Sequence, residues 1–212
     1  MLGICNSNTP LVLFCDSSNV IDNQFVERAL QHFHDHNVSA CFGRIVNHPS
    51  LQDLLSIWRS RHLFRECEPY RSDIHFVSTL ITYAVLIKKE HVIQVGNFNS
   101  NLKECEDQDL GEQLLNHKYK LLSDPKLVAY SLRKESISTL CLRYQRWHSH
   151  YRDSHNIIAQ FLSTLKTSAL IFTRRDLEDG LFKCSLISLL LPFYLLYYNL
   201  FHKLKCMFTN ES

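Results

Sequence analysis

Glycine and proline are scarce in this chain, five of each in 212 residues, which excludes a collagen-like or linker-rich protein. The eight cysteines, at 5, 15, 41, 67, 105, 141, 184 and 206, form no C-x-x-C pair, and no histidine cluster completes a zinc spacing. No signal-peptide pattern opens the sequence, so a disulfide framework of the secreted kind is not expected. Several cysteines fall inside apolar runs and read as reduced thiols used as small core residues in a cytosolic compartment. Internal repeats, low-complexity tracts, an RNA-binding signature and clustered lysines are also absent, which sets nucleic acid aside as a partner.

What is present is globular: 45% apolar and 21% charged residues, enough for one ordinary domain and a tail. The formal charge of +2 conceals an asymmetry. Residues 131–206 carry 11 Lys and Arg against 5 Asp and Glu, a net of +6, leaving −4 for the remainder. A basic C-terminal region suits anions such as lipid headgroups or phosphates.

Residues 11–15 (LVLFC) read as a buried strand ending at Asp16, and residues 38–46 as a second strand. Between them Phe25, Val26, Ala29, Leu30 and Phe33 repeat at helical spacing, with Asp22 and Asn23 as candidate caps. Leu51, Leu54, Leu55 and Trp58, after Ser50, mark another amphipathic helix, and residues 60–75 read as an irregular charged loop. A strand over 80–87 precedes a short helix that Gly96 ends in a left-handed conformation. Residues 106–117 form a helix with Leu110, Leu114 and Leu115 on one face. Two strand pieces, 119–122 and 127–130, flank a turn at 123–126, and everything from Ile137 onward reads helical. The strand–helix–strand–helix order predicts α/β architecture with parallel neighbours.

Three constellations can carry chemistry. Asp16 stands at the carboxyl end of a buried strand, where open α/β sheets bind ligands; a carboxylate there either holds a cation on a diphosphate or simply occupies a turn. The run Glu104, Glu106, Asp107, Asp109 and Glu112 either complements a helix dipole or places adjacent carboxylates in a cleft, where repulsion raises one pKa and creates a base. Arg143, Arg146 and Trp147, on a helix with His148, His150 and Arg152, suit a phosphate and a sugar ring or form an exposed basic face.

Order and spacing of these pieces carry a resemblance. Residues 2–16 resemble the stretch leading to the D-x-D motif of family 2 glycosyltransferases. Val95-Gly-Asn-Phe98 followed by Glu106-Asp107-Gln-Asp109-Leu110 is similar to that family's V-G-x-F … E-D-x-D-L block, and residues 143–147 to its Q-x-x-R-W motif, with Arg143 in place of Gln. The resemblance covers about residues 2–150 and implies a partial GT-A fold, truncated at its N-terminus or degenerate, without the strands that hold the nucleotide base. It implies inverting transfer of a sugar from a nucleotide-sugar donor to a glycan or lipid-linked acceptor. Asp107 would then be the base with Glu106 beside it, Asp16 the ligand of a divalent cation (Mg or Mn) on the diphosphate, and Asp109, Arg146 and Trp147 substrate-binding residues. Ser18 replaces the second aspartate of D-x-D, and Ser131 stands where the family often has a histidine ligand, so the cation is in doubt. A catalytically inactive remnant acting as a membrane-tethered scaffold is the alternative.

The expected domain division is a transferase-like domain over 1–153 and a helical region over 154–212. Within the latter, residues 184–201 are uncharged over 18 positions, near the lower length for spanning a bilayer. Lys183 precedes them and Lys203 and Lys205 follow, so the charge flanks give no orientation. Either a transmembrane helix or a shallow, Pro192-kinked helix in one leaflet would place the protein on the cytoplasmic face of a membrane.

Overall fold

A computed structural model describes residues 2–66, 68, 72–102, 105–148 and 156–209. Six strands run β1 (Leu11–Cys15), β2 (Asn19–Ile21), β3 (Val38–Asn47), β4 (His75–Val77), β5 (Ala84–Lys88) and β6 (Lys120–Ser131). The α-helices are α1 (Leu2–Asn6), α2 (Phe25–Leu30), α3 (Leu54–His62), α4 (Lys89–Gln94), α5 (Glu106–Asn116), α6 (Ile137–His148), α7 (Ile157–Thr164), α8 (Thr173–Glu178) and α9 (Phe182–Thr209). A 3₁₀ turn (Gln31–His34) extends α2, and a π-helical stretch (Leu165–Phe172) joins α7 to α8. The chain divides into two compact units, residues 1–48 with 69–133 and residues 49–68 with 134–212, so the spatial division does not coincide with the sequence division at 153.

The first unit is a mixed sheet in the order β1-β5-β3-β6-β2, with β4 also on β6. The expected parallel neighbours are not found in the first two long strands. β1 and β3 each pair antiparallel with β5, which lies between them, and the parallel pair is β3 with β6. β5 is buried along its whole length, which explains its unbroken apolar run. Alternate residues of the sheet feed two cores. Ala40, Phe42, Val85, Ile87 and Leu121 meet α4 and α5 on one face, while Cys41, Ala84, Leu86, Leu122 and Ala129 meet α2 on the other.

Two local expectations change. The pieces at 119–122 and 127–130 are one strand, β6, whose register jumps from Phe42 opposite Ser123 to Arg44 opposite Val128. The Asp124-Pro125 sequence makes a bulge there instead of ending the strand. Residues 60–75 are not all loop: α3 runs to His62 and β4 begins at His75. Asp53 caps α3, its carboxylate accepting from the Ser56 backbone N–H at 3.1 Å. Gly96 does take a positive φ, 101°.

The second unit is helical around Trp58, Leu140, Tyr144, Phe172, Leu191 and Leu195. Pro192 sits inside α9 without ending it. Proline has no N–H to give the carbonyl four residues earlier, which is Ser188. Buried Ser168 supplies the missing donor, its Oγ donating to the Ser188 carbonyl at 2.7 Å. We therefore expect Ser168→Ala to cost roughly 1–3 kcal/mol by orphaning that carbonyl. In a Pro192→Ala background the restored backbone N–H should remove most of that cost. Urea unfolding of the four proteins of this cycle checks it, and equal costs in both backgrounds would reject the role of Ser168.

Candidate functional site

Asp16 follows β1 directly, so the strand's end fixes its backbone. Its N–H donates to the Tyr83 carbonyl at 3.0 Å, and Asn19 Nδ2 donates to the same carbonyl at 3.1 Å. The side chain is exposed. Asp107 lies in the first turn of α5, entered through Cys105 in a left-handed conformation, φ 62°. One turn later Gly111 packs on Leu80, where a Cβ would stand 2.8 Å from the Leu80 Cβ. The Gln108 backbone N–H donates to the Asp107 carboxylate at 2.9 Å, and the Thr82 amide also favours its ionised form. Asp16 and Asp107 are thus held to adjacent residues, Thr82 and Tyr83, at the head of β5.

The acidic run separates into distinct environments. Asp107 is half-buried, and burial raises its pKa above the ordinary carboxylate value, with the charge of Glu106 adding to the rise. Glu106 is exposed, and Asp109 accepts from Gln113 Nε2 at 2.7 Å within the helix. Glu104 lies outside the described residues.

Ser18 and Ser131 also meet. The Ser18 carbonyl accepts from Leu132 N–H at 2.8 Å, and Asn19 stands opposite Ser131 in the β2–β6 ladder. Among the described residues no three His, Cys, Asp or Glu side chains form a group that could hold a metal ion. Asp16 with two neighbouring serines does not fit a hard divalent cation, which takes its charge from carboxylates. We expect calorimetric titration of this chain with Mn²⁺ and a nucleoside diphosphate to show no binding tighter than about 1 mM. Tight, metal-dependent binding would show that Asp16 holds a cation without further carboxylates.

Arg146 and Trp147 belong to the second unit, both exposed on α6. Arg143, grouped with them in the sequence, is engaged elsewhere: it pairs with Glu135 at 3.0 Å, as does buried Arg59 at 3.3 Å. His150 and Arg152 lie outside the described residues. Sequence reasoning missed a buried polar cluster in this unit. Asp176 accepts from His62 Nε2 at 2.9 Å, Arg61 Nε at 3.0 Å and Ser188 Oγ at 3.0 Å, while Trp58 Nε1 donates to Ser188 Oγ at 2.8 Å. Burial pushes the His62 pKa down, which keeps the ring neutral. At Asp176 burial opposes ionisation, but the hydrogen bonds from His62, Arg61 and Ser188 outweigh it and hold the pKa below the usual range.

The cysteines divide as well. Cys41, Cys141 and Cys184 are buried, and burial raises all three thiols, Cys141 to about 12, whereas Cys5 and Cys15 are exposed.

No family model and no curated protein matches the chain. Among solved structures, that described as GalNAc-T7 with UDP, GalNAc and Mn²⁺ is similar at 9% identity and a TM-score of 0.46. The match covers 84% of this chain and 39% of that one, so the chain spans well under half of that protein's length.

Proposed function

We propose that the chain is glycosyltransferase-like, moving a sugar from a nucleotide-sugar donor to a hydroxyl of a glycan or lipid-linked acceptor with inversion. The observation that carries this reading is the raised, half-buried carboxyl of Asp107 on Thr82, next to the residue that holds Asp16. In this reading Asp107 takes the proton of the acceptor hydroxyl as its oxygen bonds to the anomeric carbon. The bond from that carbon to the diphosphate breaks on the opposite face, and its electron pair leaves with the nucleoside diphosphate. Glu106 adds to the raised pKa of the base by repulsion, and Asp16 and Asp109 are proposed substrate-binding residues. Arg146 and Trp147 are proposed ligands of diphosphate and acceptor. The work would take place on the cytoplasmic face of a membrane.

The base must be ionised, so turnover should rise with pH through a pKa above the ordinary carboxylate value. Asp107→Asn should lower turnover by roughly 10²–10⁴-fold with donor affinity within about twofold, because it removes a base and not a donor contact. The same substitution carries a fold-side signature. A raised folded pKa means the folded chain binds the proton more tightly than the unfolded one, so ionised Asp107 opposes folding at neutral pH. Asp107→Asn should therefore melt higher than wild type at pH 7, with the gap closing as pH falls towards the ordinary carboxylate value. Equal turnover would reject Asp107 as the base, and an unchanged melting difference across pH would reject its burial.

A second reading is a non-catalytic binding protein, favoured by the absence of a metal-holding group among the described residues. Release of nucleoside diphosphate from a panel of nucleotide sugars separates the two: none from any donor supports the second reading.

A further inference from the structure

We infer that the second unit docks side-on onto an anionic lipid surface through one apolar face built from α7, the π-helical stretch and α9. On α9 the exposed residues Phe182, Leu186, Leu190, Phe193, Tyr197 and Phe201 recur every three or four positions and form one stripe. On α7, Ile158 and Leu162 are exposed four residues apart, and Leu170 and Ile171 continue outward from the π-helical stretch. Phe161 meets Phe193 edge to face, ring centroids 5.7 Å apart, which joins the two stripes at a seam. An apolar face of this extent on a folded unit marks an interaction surface.

Charge selects the occupant. Residues 156–172 and 181–201 contain no Asp or Glu, and their charged residues are Lys166 and Lys183, both exposed. The nearby acids are already engaged: Asp176 is buried with Arg61 and His62, Asp179 pairs with Arg61, and Glu178 with Arg174. An apolar face whose only charges are cations complements anionic headgroups above an acyl layer. A second copy of the same face would bring lysines together with no acid to pair them.

The inner side of α9 sets the orientation. Over Phe182–Phe201 the helix is long and apolar enough to cross a membrane, by length and composition. Its other face, however, is pinned to the unit. Ser188 bonds Asp176 and Trp58, and Asn199 exchanges hydrogen bonds with Gln160 at 3.3 Å and Gln145 at 3.2 Å. Standing α9 upright in a bilayer would strip these bonds or drag the charged cluster into hydrocarbon. The helix therefore lies in the plane of one leaflet.

The docking face belongs to the second unit alone, so its test is independent of any transferase assay. The full chain is floated with vesicles of phosphatidylcholine and phosphatidylglycerol in equal parts, and with phosphatidylcholine alone. Wild type should bind the anionic vesicles at least about tenfold more, and alkaline carbonate should release it. Leu190→Asp and Phe193→Asp should each lose at least about tenfold with unchanged circular dichroism. Lys166→Glu with Lys183→Glu should lose the preference for anionic vesicles. Retention through carbonate extraction would overturn the in-plane orientation. Failure to float on either vesicle, or flotation of both Asp variants like wild type, would overturn the lipid assignment. A concentration-dependent dimer abolished by Leu190→Asp, without vesicle binding, would give the face to a second copy.

Discussion

Gly43→Ala should prevent the first unit from folding. A Cβ at this position would stand 1.9 Å from the Leu127 carbonyl oxygen, 2.5 Å from the Asp124 carbonyl oxygen and 2.6 Å from the Leu127 Cβ. Two of those atoms are backbone, so no rotamer change relieves the clash. The bulge of β6 wraps this one residue, and its shape is held on both sides. Asp124 accepts from the Lys126 N–H at 2.8 Å and meets His32 Nε2 at 2.7 Å, while the Tyr83 hydroxyl donates to the Gly43 carbonyl. Relief therefore requires opening the parallel β3–β6 pairing at the centre of the sheet. We expect a loss of more than about 4 kcal/mol, seen as insoluble protein or a collapsed urea midpoint. A midpoint within error of wild type would show that the bulge yields. The consequence reaches the candidate site, because the same Tyr83 that touches Gly43 holds the Asp16 backbone.

Asp176→Ala should be nearly as severe in the second unit. The carboxylate is fully buried and receives Arg61, His62 and Ser188 from α3 and α9. Removing it leaves an imidazole N–H facing a cavity and takes the buried carboxylate from Arg61, which keeps Asp179, a change that costs about 3–5 kcal/mol when a buried pair loses one partner. Asp176→Asn keeps the volume and some acceptor capacity and should cost less. The cluster also sets an acid sensitivity. His62 has a depressed folded pKa, so the unfolded chain binds its proton first, and stability is lost as pH falls below about 6.5 towards the folded value. Asp176 is depressed too, so its contribution is present above the ordinary carboxylate pKa of about 3.8 and is lost as pH falls through the lower folded value. Urea midpoints of wild type should thus fall between pH 7 and pH 5. His62→Gln should flatten that fall, and an unchanged slope would remove His62 as its origin.

Much of the local structure was legible before folding. Helices such as α5 declare themselves through Leu110 and Leu114 one turn apart, and β1, β3 and β5 through apolar runs longer than a turn. Asp16 was legible as a strand-end carboxylate for the same reason. Three-residue strands carry no such period. β2 and β4 exist because they pair with β6, about 110 and 46 residues later in the chain, and nothing within Asn19–Ile21 or His75–Val77 records that partner. The cluster around Asp176 was hidden likewise, since it joins Trp58 and His62 to Ser188 across more than 100 residues.

Within the acidic run the division is sharpest. The sequence by itself determined that Glu106, Asp107 and Asp109 share the opening of one helix, because composition and periodicity act over a few residues. Only the tertiary structure decided between them. Gly111 seats α5 against Leu80, and the packed chain leaves Glu106 in water and half-buries Asp107, while Asp109 meets Gln113 within the helix. Desolvation depends on what the rest of the chain brings alongside, so the Asp107 carboxyl gains its raised pKa only once the sheet is assembled.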